Sequence, residues 1–205
     1  DRRIGRMLVN DVARLGSLVE DLLEVSRLEA GSIASTASEV DLSLFLEAVI
    51  ADRYPTAHLD ISPPISPIGI DRNSLERVVG NLLDNARSHA PNAPVTVTAT
   101  LDDGHLHVTV ADEGPGVAAD QLPKLFDRFY KTDDSRQGGS GLGLAIAREH
   151  ARRLGGDLAV RPGRSQGLVF ELRLPVTVSL HSGDFTETLT SQAEGEESDF
   201  TRRTP

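Results

Sequence analysis

Apolar residues Leu8, Val12, Leu15, Val19 and Leu22 recur along the opening segment at alternating steps of four and three. That spacing holds them on one narrow seam of a helix, the pattern of a coiled coil. Gly31 stops the helix, and the small polar residues over 32–38 predict a linker before a second pattern begins. A seam of this kind cannot bury itself on one helix, so it requires another helix of this chain or of a second chain. The alternative is a helix lying back on its own domain, against which the linker and the narrowness of the seam both count.

From residue 41 the period changes repeatedly. It predicts a helix over 41–53, a strand over 58–61, a proline-rich connection, and a helix over 72–89 with Asp71 as its N-cap. VTVTAT and HLHVTVAD then alternate at period two around Asp102-Asp103-Gly104, which predicts a β-hairpin with one buried face. A polar, glycine-rich passage runs to Gly141, followed by a helix over 142–154 and strands over 158–160 and 168–174. Hairpin-paired strands with intervening helices predict an α/β domain whose helices cover one sheet face. After Pro175 the pattern fades, and from His181 the chain is rich in Ser, Thr, Gly and Glu, the composition of a disordered acidic tail. A docking peptide around Phe185 or Phe200 is the functional alternative for that tail. The expected units are therefore 1–31, 32–40, 41–176 and 177–205.

Composition narrows the function. With 205 residues and 39% hydrophobic content the chain can bury a sizeable core. Its formal charge of −10, from 31 acidic and 21 basic residues, argues against a general nucleic-acid or anionic-membrane binder, so any anionic ligand must meet locally arranged donors. The absence of cysteine excludes disulfides and thiolate metal sites. No apolar run approaches the roughly 20 residues of a membrane span. The chain opens at Asp1 inside an amphipathic pattern, which leads us to expect a portion of something longer.

Four short motifs carry candidate chemistry. In NLLDNARSHA, Asn81 and Asn85 are four apart and share one helix face. Amide oxygens suit a hard cation such as Mg²⁺ when phosphates supply the other ligands, although the same amides could bridge neighbouring backbone. DEGPGV places Asp112 at a strand end beside Gly114 and Gly116. A carboxylate there can accept from the exocyclic amine of adenine and would repel the guanine carbonyl, which selects ATP over GTP; a turn with Asp112 as a cap is the alternative. In LFDRFYK, Phe126 and Phe129 are three apart, with Arg128 and Lys131 placed to face a phosphate chain while the aromatics anchor a lid. GGSGLGLAIA, from Gly138, sets glycines and backbone amides ahead of a helix, where an anion can be held. It lacks the Lys-Ser or Lys-Thr ending of a P-loop, and no acidic residue follows at the ribose-binding distance of a dinucleotide fold.

Together these motifs resemble, in order, the asparagine, first glycine, phenylalanine and second glycine boxes of the ATP-binding domain of sensor histidine kinases. That domain's superfamily includes gyrase, mismatch-repair and chaperone ATPases. The resemblance covers residues 41–175, and RLGSLVEDLLEVSRLEAG looks like the second helix of the kinase dimerisation and phosphotransfer hairpin. It implies a two-layer α/β sandwich preceded by one long coiled-coil-type helix. By similarity Asn85 would coordinate Mg²⁺ with Asn81 in support, Asp112 would bind the adenine amine, and Gly114 and Gly116 would shape that wall. Phe126 and Phe129 would seat the lid, and Gly139, Gly141 and Gly143 with the amides of Leu142 and Leu144 would cradle the phosphates of ATP. The implied partners are a second copy of the kinase and a response regulator, with no nucleic acid. The implied location is the cytoplasmic side of a bacterial membrane-anchored sensor.

The chain departs from the family pattern in two places. The basic residue expected three positions after Asn85 is Ser88, so His89 or Lys131 is expected to substitute at the phosphates. The phosphoacceptor histidine belongs in a His-Glu-x-x-x-Pro type box on the first hairpin helix. None of His58, His89, His105, His107, His150 and His181 stands in that context, which places the acceptor ahead of Asp1. His105 and His107 share a strand face and read as surface residues, and His150, on a helix after Glu149, reads as exposed. Two other classes remain open: a serine/threonine kinase of the anti-sigma type, and a non-enzymatic module in which ATP only closes the lid.

Overall fold

The structure, a computed structural model, describes residues 2–30, 36–132, 140–164 and 166–178. The linker residues 31–35, Gly139 and the acidic tail beyond 178 lie outside the described residues.

The alternating strands build a five-stranded sheet in the order β2-β4-β5-β7-β6, from β2 (His58–Ile61), β4 (Val95–Asp102), β5 (His105–Asp112), β6 (Asp157–Pro162) and β7 (Leu168–Pro175). Only the β2–β4 pairing is parallel. The β4–β5 hairpin turns on Asp103 and Gly104, both at positive φ, which matches the twist of a tight two-residue turn. Register aligns the apolar face across strands: Val97 stands opposite Val110, Ala99 opposite Val108, Val108 opposite Leu172 and Val110 opposite Phe170. Because side chains alternate, a slip of one residue would turn this entire face to solvent.

Helices α2 (Leu42–Arg53), α3 (Arg72–His89) and α4 (Gly143–Arg153) form the second layer. α3 buries Leu75, Val78, Val79, Leu82, Leu83 and Ala86, in one core with Val97, Val108, Phe170 and Leu172 of the sheet. Asp41 and Asp71 cap α2 and α3 by accepting from the Leu44 and Ser74 amides, both at 3.1 Å. A smaller sheet, β1-β3-β8, joins Ser38–Val40, Ile68–Ile70 and Thr177–Val178. None of these three strands was expected. They are two or three residues long and exist only because distant segments pair, so no local period announces them.

The first helix, α1 (Arg2–Glu29), leaves Val12, Leu15, Val19 and Leu22 exposed. Its last turns do touch the α/β domain: Val25 and Leu28 are buried, and Val25 clusters with Leu142 and Ile146. These two residues sit one position before the seam's continuation at Ser26 and Glu29, so the stripe has turned towards α4. The helix therefore carries an open seam and a docked end, where only the seam was expected. Among the described residues no helix is long and apolar enough to cross a membrane.

Asp71 is buried, and burial alone would raise its pKa, but the amides of Ser74, Thr36 and Asn73 and the Ser74 hydroxyl outweigh it and hold the carboxyl below its ordinary range. A depressed folded pKa means stability present above the unfolded-state pKa and lost as pH falls through the folded one. Asp71→Ala should cost about 1–2 kcal/mol at neutral pH. In chemical denaturation the gap to the parent should close on acidification.

Candidate nucleotide site

The alternation Leu106, Val108, Val110 along β5 points into the core, and the next position in the series is Asp112. A carboxylate thus ends the apolar face. Burial is the leading influence and raises its pKa; the Gly114 and Leu168 amides and nearby His89 oppose this without cancelling it. The Gly114 N–H donates to Oδ1 at 2.9 Å. This wall has no spare room. A Cβ on Gly114 would come within 2.5 Å of the Ala90 Cβ and 2.8 Å of the Asp112 Oδ1, and one on Gly167 would overlap the Asp112 carbonyl. Gly116 backs onto Gly167.

Asn81, Asn85 and His89 follow at four-residue steps along α3. His89 keeps solvent contact, yet withdrawal of its ring from water lowers its pKa and the Asp112 charge only partly restores it. It stands at the Asp112 end of the stripe. Arg87 binds Asp84 at 2.7 Å and the Arg53 carbonyl at 3.2 Å, and the Ser88 hydroxyl donates to the Asp84 carbonyl.

The amide nitrogen of Asn81 is buried without a hydrogen-bond partner among the described residues. A Cβ on Gly143 would lie 3.4 Å from the Asn81 Oδ1, so the start of α4 stands directly against the asparagine stripe. The helix's first N–H groups have no carbonyl within it to bind. Gly141 reaches this place at φ 74°, and a Cβ there would meet the Phe129 Cα at 2.9 Å. Its carbonyl accepts from the Phe129 N–H at 2.8 Å.

The two phenylalanines divide their roles. Phe126 is half-buried, edge-on to Phe170 with centroids 6.5 Å apart, and the Arg148 guanidinium lies 4.8 Å from its ring. Phe129 is 59% exposed and has φ 61°. Phe126 thus packs against the sheet, as an anchoring ring would, while Phe129 meets the glycine stretch through its backbone. The reading of His150 as exposed is corrected, because it is buried and its Nε2 lies 3.1 Å from the Glu24 carboxylate of α1. Asn81 borders a groove of about 260 Å³ with Arg53, Asn73, Glu76, Arg77 and Gly80. Neither Asn85 nor Asp112 lines that groove, so it neighbours the candidate site and is separate from it.

The family model for histidine kinase-, DNA gyrase B-, and HSP90-like ATPases matches residues 70–178, which include every box described above. The chain belongs to this family. Relatives of this ATPase domain include the signal transduction histidine-protein kinase AfsQ2 of Streptomyces coelicolor, 39% identical over 83% of the chain and 32% of that protein. Another is the sensor histidine kinase MtrB of Mycobacterium leprae, 33% identical over 85% of the chain and 33% of that protein. The chain thus spans about a third of these curated relatives. Among solved structures it is similar to full-length ShkA in complex with AMPPNP, with a TM-score of 0.78 and 30% identity over 88% of this chain and 40% of that one. It is also similar to the Acinetobacter baumannii histidine kinase AdeS, with a TM-score of 0.71 and 25% identity over 85% of each chain.

Sequence reasoning missed Gly167 and Leu168 in this ATPase domain. The available signal was a glycine directly before an apolar strand, but only the sheet order shows that this glycine abuts β5. Because Gly167 has φ 77° and no room for a Cβ, Gly167→Ala should displace Asp112 and destabilise the domain by about 1–3 kcal/mol, measured by thermal melting.

Proposed function

We propose that this chain is the ATP-binding catalytic part of a sensor histidine kinase, with α1 as the second helix of its dimerisation hairpin. The observation that carries the reading is a buried carboxylate, Asp112, held by two backbone amides at one end of a helix stripe whose other end meets the glycine-led start of α4. Adenine fits the first end and phosphates the second. Asp112 accepts from the adenine amine, Gly114 and Gly116 shape the wall behind it, and His89 borders it. Gly139, Gly141 and Gly143 with the amides of Leu142 and Leu144 take the phosphates, and Lys131 is the cation we assign to them.

Asn85, supported by Asn81, suits Mg²⁺, and the partnerless buried amide of Asn81 fits a polar ligand at this point. Bound there, the ion would neutralise phosphate charge. The side chains perform no covalent chemistry: they align the γ-phosphoryl group and exclude water, so that the bond to the bridging oxygen breaks as one to a histidine nitrogen forms. None of the five histidines among the described residues suits that acceptor role. His150, for example, is buried against Glu24. The acceptor is assigned to a separate hairpin helix, with relay to a response-regulator aspartate, homodimerisation through the α1 seam, and placement on the cytoplasmic side of a membrane sensor.

With γ-labelled ATP this chain alone should remain unlabelled and should phosphorylate a supplied histidine-bearing hairpin; label on serine of a partner would indicate the anti-sigma class. Lys131→Ala should weaken binding of an ATP analogue and spare adenosine, whereas His89→Ala should weaken both. Since the Asp112 pKa is raised in the free protein and an amine donor favours its ionised form, affinity should fall on acidification, from a pH above the ordinary carboxylate range. Asp112→Asn should flatten that profile and cost about 10- to 100-fold in affinity by calorimetric titration.

A further inference from the structure

The end of α1 reaches the phosphate end of the site through a chain of two hydrogen bonds. The Leu142 N–H donates to the Ser140 hydroxyl oxygen at 3.1 Å, and that hydroxyl donates to the Asp21 carboxylate at 2.8 Å. Leu142 is fully buried, and its amide opens the turn that leads into α4. The neighbouring contacts on α1 hold the same face in place. Glu24 reaches Arg77 of α3 at 2.9 Å and His150 of α4 at 3.1 Å, and Val25 seats on Leu142 and Ile146. Although burial works to raise the Glu24 pKa, His150 and Arg77 more than offset it, so this carboxylate stays ionised between two helices that flank the site.

From this geometry we infer that Asp21 and Ser140 form a latch by which α1 opposes nucleotide binding. The inference rests on the reading that the Leu142 amide belongs to the phosphate cradle. In the latched state that amide is taken by the Ser140 oxygen, and the negative charge of Asp21 makes the oxygen a stronger acceptor. A phosphate oxygen must replace the Ser140 oxygen at Leu142, which disrupts the chain to Asp21 and loosens the grip on α1. Nucleotide binding and α1 docking therefore oppose each other. Coupling of this kind is reciprocal, so a displacement of α1, whose exposed seam continues towards Val12, changes affinity at the cradle. Glu24 and Val25 keep the two parts in register, so the latch can re-form when the phosphates leave.

The test is calorimetric titration of the chain and its variants with a non-hydrolysable ATP analogue and with adenosine. Ser140→Ala frees the Leu142 amide while retaining the Asp21 charge, and should tighten analogue binding by about five-fold with adenosine unchanged. Asp21→Ala should tighten it similarly, and the double variant should gain no more than either single one. An unchanged or weaker affinity in folded Ser140→Ala overturns the latch, as does tightening by Asp21→Ala alone, which is through-space repulsion. Independently of any variant, the analogue should speed hydrogen exchange over residues 21–28 of the unmodified chain; slower exchange there also overturns it. If the unmodified chain binds adenosine and analogue equally poorly, the nucleotide reading itself fails, an outcome distinct from the latch failing.

Discussion

The site depends on one constraint: a carboxylate occupies a position in a β-strand where every other inward residue is apolar. Ending the core face of β5 on Asp112 would be costly if the group were left unpartnered. The chain offsets this with two backbone amides, one from the turn after β5 and one from the start of β7. Both require glycine nearby, because Gly114 and Gly167 press against the Asp112 atoms with no space for a side chain. Sheet order, hairpin register and glycine placement therefore serve one group.

The remainder of the site is arranged relative to that group. α3 runs from its cap at Asp71 to His89 beside Asp112, carrying Asn81 and Asn85 on the way, and α4 begins where Gly143 meets Asn81. The two ends differ in kind. Around Asp112 the structure is close-packed and backbone-determined. The glycine-led end meets other segments through the Gly141 carbonyl on Phe129, the Ser140 hydroxyl on Asp21, and Leu142 packed with Val25 and Ile146.

Much of this was legible in the residues themselves. Period-two alternation located β4 and β5, the 3.6-residue pattern located α2, α3 and α4, and the four boxes pointed to the family that the residue 70–178 match shows. The short strands β1, β3 and β8 were not legible, because pairing between segments far apart in the chain creates them. Phe126 and Phe129 look alike at three-residue spacing, and only the packed structure separates them, with Phe126 against Phe170 and Phe129 exposed at positive φ. His150 reads as a polar surface residue until Glu24, more than a hundred residues earlier, is brought against it.

The sequence by itself determined the longer elements, the order of the four boxes and the family, because periodicity, capping and motif spacing are local properties that each stretch carries alone. Tertiary structure alone decided which groups meet. It gave Asp112 its second amide donor, brought His89 near the Asp112 carboxylate, and set Asp21 and Glu24 of the first helix against the start and body of α4. Burial and hydrogen bonding between segments distant in the chain depend on the packed arrangement, and no window of residues encodes them.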